Sequence, residues 1–169
     1  MHIALKEYEA AYQVQVKRDI VDFFAFHGGL VGEREEASAQ AEEEAEEVLE
    51  NWRRGRSALY AILDGEAYAG FLRLEYRGDQ VAWIEDLYVR PERRGQGIAS
   101  QAIGLAEKIV AARPGYTALC MDVVPRNTQA LNLYYRLGYD TLSLITLRKE
   151  FGENPRDQKA SFLGKEFRV

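Results

Sequence analysis

A strand that runs through a glycine turn into a helix constrains this chain more than any other feature. Trp83-Ile84-Glu85-Asp86-Leu87-Tyr88-Val89 has strand character, Arg90-Pro91-Glu92-Arg93-Arg94-Gly95-Gln96-Gly97 turns the chain, and Ile98-Ala99-Ser100-Gln101-Ala102-Ile103 opens a helix pattern. Glycines let the backbone approach a ligand closely. The N–H groups of a helix's first turn have no partner inside the helix, and the dipole there favours an anion. Arg93 and Arg94 add fixed positive charge. The stretch reads as a phosphate site, and the fold has to present it at the end of a strand.

Composition narrows the rest. The 169 residues are 47% hydrophobic, enough for a sizeable core, and a single domain over 1–169 is expected. A net charge of −5 disfavours a strongly basic nucleic-acid binder. No apolar run approaches the ~18 residues of a membrane helix. The segment Met1-His2-Ile3-Ala4-Leu5-Lys6-Glu7 lacks the apolar core of a signal peptide, and Cys120 is the one cysteine, so no internal disulfide forms. A soluble cytoplasmic protein is expected. His2 and His27 lack metal-ligand spacing, and no metal site is expected.

In chain order, residues 2–8 form a first strand. A helix over 9–27 carries Tyr12, Val16, Ile20, Phe23 and Phe24 at helical spacing, with Gly28-Gly29 as its stop. A second helix, 33–50, holds nine Glu against one Arg, a net of −8 that leaves +3 for the remainder. This is a solvated face or an acidic rim that steers a cationic substrate. Strands at 57–63, 67–76 and 81–89 form a meander turned by Asp64-Gly65 and Arg77-Gly78-Asp79. A helix over 96–112, a buried strand at 117–124, and a helix capped by Asn127 or Thr128 and closed by Gly138 follow. Residues 141–147 alternate as a strand, and 160–168 is a last strand or a hairpin. The order βααβββαβαββ implies an α/β chain of mixed α+β type: a meander plus a β-α-β crossover, hence a mixed sheet with helices on it.

Two familiar phosphate loops fail. A nucleotide-triphosphate loop needs Lys-Ser or Lys-Thr after its last glycine, and Ile98-Ala99 stand there. The dinucleotide fingerprint needs a third glycine, and Ser100 stands there. A third pattern fits. Arg94-Gly95-Gln96-Gly97-Ile98-Ala99 matches Q/R-x-x-G-x-G/A, which resembles the acyl-CoA loop of the GNAT superfamily of N-acetyltransferases. A second block, Asn127 to Tyr139, is similar to that superfamily's N-x-x-A-x-x-L-Y-x-x-x-G-F/Y segment, in the family's order and spacing. The resemblance implies a GNAT-type acyl-CoA N-acyltransferase fold: a central mixed, mostly antiparallel sheet flanked by helices. It implies that backbone N–H groups of Arg94, Gly95, Gln96, Gly97, Ile98 and Ala99 hold the pyrophosphate of acetyl-CoA. It implies that Leu87, Tyr88 and Val89 pair with the pantetheine arm, that Asn127 binds the same arm, and that Tyr134 sits at the thioester sulfur.

The implied activity is direct transfer of an acetyl group from acetyl-CoA to a primary amine. Amines are mostly protonated near pH 7 and need a base. Glu85 and Asp86 are the candidates, and strand alternation puts them on opposite faces unless a bulge intervenes. Glu85 is favoured as a water-mediated base, because polyamine acetyltransferases of the family carry a carboxylate in a similar Ile/Leu-Glu-Asp segment. Tyr134 suits the role of acid to the departing thiolate, and Tyr135 reads as its packing neighbour. Trp52, Tyr60 and Trp83 read as core residues that could instead line the acceptor pocket. Arg136 could reach a CoA phosphate or lie in solvent. Cys120 reads as a small buried residue rather than a nucleophile. The carboxylates and the Glu-rich helix lean toward a cationic acceptor, a small molecule or a peptide amine. The last ~20 residues exceed a minimal core and could pair between subunits of a homodimer. The rival readings are a non-catalytic acyl-CoA-binding sensor or regulatory module and, more distantly, a nucleic-acid binder resting on Arg90, Arg93 and Arg94.

Overall fold

The computed structural model describes residues 2–31, 39–151 and 158–169, so the first residues of the expected Glu-rich helix lie outside the described residues. The chain divides into two compact units, Met1–Phe24 with Ala37–Asp122, and Ala25–Glu36 with Val123–Val169.

The first unit is built on the meander. β1 (Ile3–Glu7), β2 (Ser57–Asp64), β3 (Ala67–Arg77), β4 (Val81–Val89) and β5 (Ala118–Met121) form one sheet in the order β1-β2-β3-β4-β5. The first three pairings are antiparallel and β4–β5 is parallel, as a helical crossover requires. Asp64 pairs with Ala67, so the hairpin loop is Gly65-Glu66, and Gly65 takes the positive φ of 62° that a tight turn needs. Expected and observed limits of these strands agree within two residues, except at β5. That strand is shorter than its apolar run and only half-buried, because it joins the sheet on one side alone among the described residues.

Two sets of alternating residues cover the sheet. Leu59, Phe71 and Tyr88 point to one face, where they meet Val16, Ile20 and Phe23 of α1 (Gln13–Val31) and Ala45, Leu49 and Trp52 of α2 (Ala39–Arg54). Their rings interlock: Phe71 lies 5.5 Å from Trp52, 5.8 Å from Phe23 and 5.8 Å from Tyr88, centroid to centroid. Each such buried side chain contributes roughly 1.5–3 kcal/mol of transfer free energy. Ile62, Leu72 and Leu74 point the other way. α3 (Ile98–Ala111) packs along β1, β4 and β5 through Ile98, Ala102, Ile103, Ala106 and Val110, the i, i+4 spacing of one helix stripe.

α1 does not stop at Gly28-Gly29 but runs to Val31. A glycine inside a helix costs about 1 kcal/mol relative to alanine, which the packing of the preceding turns offsets.

The second unit holds α4 (Thr128–Arg136) and a hairpin of β6 (Lys159–Phe162) with β7 (Lys165–Arg168). Arg126 Nε donates to the Val169 carbonyl at 2.6 Å, tying the end of the hairpin to the start of α4. Thr141 to Leu147 is not a strand, and Leu142, Leu144 and Leu147 are exposed. The element order matches the expected string, but its last two strands are the two arms of the terminal hairpin.

Candidate functional site

The glycine turn is shaped by three arginines that its sequence presents as free cations. After Val89 the chain makes a single 3₁₀ turn over Pro91–Arg93 and goes extended at Arg94. Gly95 and Gly97 then take φ of 74° and 77°, a region that costs other residues about 1–2 kcal/mol. Gly97 is the N-cap of α3 and has no side chain to offer, so the helix starts uncapped. Its first backbone bond runs from Gln101 N–H to the Gly97 carbonyl at 3.2 Å. The N–H groups of Ile98, Ala99 and Ser100 lie ahead of that bond, where an anion is held best.

The arginines have other work. Arg90 Nε donates to both oxygens of the buried Asp19 on α1 at 3.0 and 3.1 Å, with its guanidinium over Tyr68. Burial pushes the Asp19 carboxyl up, and Arg90 opposes that push. Arg93 pairs with Asp64 at the end of β2, Nη2 to Oδ2 at 2.5 Å. Arg94 folds back, Nε to the Val89 carbonyl at 2.8 Å and its guanidinium over Tyr88. Arg90 and Arg93 therefore staple the turn to α1 and β2, and their charges are matched. Less free positive charge stands at the turn than its sequence suggests, beside the backbone amides of the helix start.

The strand that feeds the turn is open on one edge. β4 pairs with β5 only from Val81 to Ile84, opposite Ala118 to Met121. On its other side Asp86 to Val89 pair with Arg73 to Gly70. Leu87, Tyr88 and Val89 thus lie beyond the parallel pairing, with no strand on that edge among the described residues. The β3 neighbour is drawn in close: a Cβ on Gly70 would stand 2.0 Å from the Tyr88 carbonyl oxygen.

Between the paired and open halves of β4 is a bulge. Leu74 faces Ile84 and Arg73 faces Asp86, so Glu85 has no opposite residue. The expectation of opposite faces is corrected here: the extra residue turns Glu85 and Asp86 toward the same guanidinium. Arg73 Nε lies 2.5 Å from Asp86 Oδ2 and Arg73 Nη2 lies 3.8 Å from Glu85 Oε2. Glu85 is also ion-paired with Arg77. Each guanidinium rests on an indole, Arg73 at 4.9 Å from the Trp52 centroid and Arg77 at 4.7 Å from that of Trp83. Burial pushes the Glu85 carboxyl above the ordinary range, with Arg77 pulling it back. Trp52 and Trp83 thereby join the carboxylate site, while Tyr60 is buried elsewhere, on the α3 face. Arg73 carries no motif; the one signal for it is an arginine between the buried Phe71-Leu72 and Leu74.

In the second unit Asn127 caps α4, its Oδ1 accepting from Ala130 N–H at 3.1 Å. The helix closes on Gly138 at φ 94°, whose N–H donates to the Tyr135 carbonyl. Tyr134 stands edge-on to Tyr139 at 6.4 Å, and burial pushes its phenol up. Tyr135 and Arg136 are exposed, so the packing role expected of Tyr135 falls away. Cys120 is half-buried with its thiol pushed up by burial, the wrong direction for a nucleophile.

A family model described as "Acetyltransferase (GNAT) family" matches residues 26–139. Among curated proteins, a thialysine N-epsilon-acetyltransferase of Bos taurus is 41% identical over 61 residues, 36% of this chain and 35% of that protein. The matched stretch spans about a third of the length of such relatives. Among solved structures, a transcriptional regulator from Bacillus halodurans C-125 superposes with a TM-score of 0.68 at 21% identity, over 89% of this chain and 100% of that one. The aminoglycoside N-acetyltransferase AAC(6')-Iy in complex with CoA gives 0.63 at 16% identity, over 89% and 96%. At these identities the likeness speaks for the fold.

Proposed function

Since the chain belongs to the GNAT acetyltransferase family, we propose that it transfers an acetyl group from acetyl-CoA to a primary amine, directly and without a covalent enzyme intermediate. The observation that carries this reading lies along one strand. From the Glu85 bulge, through the edge at Leu87 to Val89 that no strand covers among the described residues, to the uncapped start of α3, β4 offers a carboxylate, an open strand edge on which Arg94 holds the Val89 carbonyl, and helix-start amides in that order.

In this proposal the amides of residues 94–99 hold the pyrophosphate. The free edge of β4 pairs with the pantetheine arm, and Asn127 adds its side-chain N–H₂, since its Oδ1 is taken by the cap. Glu85 accepts a proton from the acceptor ammonium through water, and the neutral nitrogen attacks the thioester carbon. A backbone N–H of β4 stabilises the oxyanion. The C–S bond then breaks, Tyr134 gives its proton to the departing sulfur, and the nitrogen's second proton passes through water to the phenolate as the amide forms, which restores Tyr134. A phenol pushed up by burial stays protonated through the working range, as a donor must. We place the protein in the cytoplasm, which suits a chain with one cysteine; no helix among the described residues is long and apolar enough to cross a membrane.

The test is thiol release from acetyl-CoA against a panel of thialysine, a diamine, an aminoglycoside and a peptide amine. Release that depends on one acceptor class supports the reading. CoA binding without release for any amine would make the protein an acyl-CoA-binding module instead.

A further inference from the structure

We infer that Arg73 is the positioning residue of this site: it removes Asp86 from contention as the base and, together with Arg77, holds Glu85 beside the open edge of β4. The inference rests on the reading of Glu85 as the base, and it begins from the bulge. An ordinary strand would send consecutive carboxylates to opposite faces. Here the extra residue brings both to one side, where two like charges would drive one of them to hold a proton.

Arg73 is placed between them, and its side chain is only 13% exposed. Nε bonds Asp86 at 2.5 Å, Nη1 takes the Ser57 hydroxyl oxygen at 3.1 Å, and Nη2 lies 3.8 Å from Glu85. Glu75 approaches Nη1 at 3.6 Å, and Trp52 closes one face of the guanidinium. The charged groups of the cluster are Glu75, Arg77, Glu85 and Asp86, with Arg73 at the centre.

The two carboxylates are unequal. Asp86 has the shorter of the two Arg73 contacts, with 11% of its side chain exposed against 17% for Glu85, so the two differ mainly in their partners. Its charge is spent on Arg73. Glu85 holds Arg73 loosely, and its close partner Arg77 stands at the rim with 45% of its side chain in solvent. Water can displace Arg77 from one Glu85 oxygen, and a proton can arrive there. Asp86 has no comparable exchange. A single arginine thus assigns two neighbouring carboxylates to different tasks, one to anchor the bulge and one to take the proton.

The experiment is a carboxyl ¹³C NMR titration of the wild type, Arg73→Met and Arg73→Lys, with resonances assigned from Glu85→Gln and Asp86→Asn. In Arg73→Met one of the two carboxyls should titrate about one pH unit higher or more. Arg73→Lys keeps the charge but lacks the planar fork that reaches Asp86, Ser57, Glu75 and Glu85 at once, and should recover the Asp86 midpoint while leaving Glu85 raised. Midpoints unmoved in both variants would overturn the inference. Should Arg73→Met fail to fold by amide chemical shifts, Arg73→Lys alone decides it by the Glu85 midpoint. The acid limb of kcat/KM, read with the acceptor found in the thiol-release panel, should move with Glu85, an about tenfold loss on the acid side per pH unit. Moved midpoints with a fixed acid limb would remove Glu85 as base and leave the assignment of Arg73 standing.

Discussion

Tyr134 and Glu85 show how the same physical term acts in opposite directions. Burial raises both pKa values. For the phenol this preserves the protonated donor to higher pH. For the carboxyl it opposes the ionised base, and the arginines offset only part of that push. Tyr134→Phe should therefore lower kcat roughly 10²-fold or more, the usual contribution of a positioned acid, while CoA affinity by calorimetry stays within about twofold. An unchanged kcat would assign the sulfur's proton to water. At this scale the sequence was readable where a residue's task is local. Asn127 as a cap and Gly138 as a helix stop needed only the chemistry of their own turn. Arg73 needed the register of the neighbouring strand, which no local pattern encodes, and the exposure of Tyr135 needed the packing around α4.

Among the elements, β3 and β4 carry the site, and their spacing is set at Gly70. A side chain there would meet the Tyr88 carbonyl at 2.0 Å, so the strands would have to part. Gly70→Ala should cost about 1–3 kcal/mol in urea denaturation, as overpacking does, and should weaken CoA binding because the open edge moves with Tyr88. Full retention of both would show that the strands yield without cost. The strands and α3 were legible because period and turn chemistry agreed over long stretches. The failures have one cause. Alternation at Thr141 to Leu147 is necessary for a strand, but a strand also needs a partner for its backbone groups. Gly28-Gly29 weakens a helix without ending it when neighbouring turns are packed. The bulge at Glu85 was anticipated only as an exception, since alternation reads unbroken through Trp83 to Val89 in sequence.

For the molecule as a whole, charge is the property with reach. The carboxylates beside β4 are largely matched by Arg73 and Arg77, so they draw a cationic acceptor less than their sequence suggests. Among the described residues a run of exposed carboxylates lies on α2, where Glu42, Glu43, Glu44 and Glu47 are exposed while Glu46 pairs with Lys17 and Glu50 with Arg54. If α2 steers, kcat/KM for a diamine should fall several-fold as salt rises from about 0.01 to 0.15 M, over which screening shortens from ~30 to ~8 Å. A monoamine should change less, and a flat response for both would leave α2 as a solvated face only. The turn that ends β4 has a different kind of reach. In the proposed reading main-chain amides do the holding there, which makes the site a matter of conformation and hardly of side-chain identity. Substitution of the exposed Gln96 should leave such a site standing, while Gly95 and Gly97 are tied to φ values that few residues accept. The loop is thereby specified by two backbone angles rather than by the groups that its side chains carry.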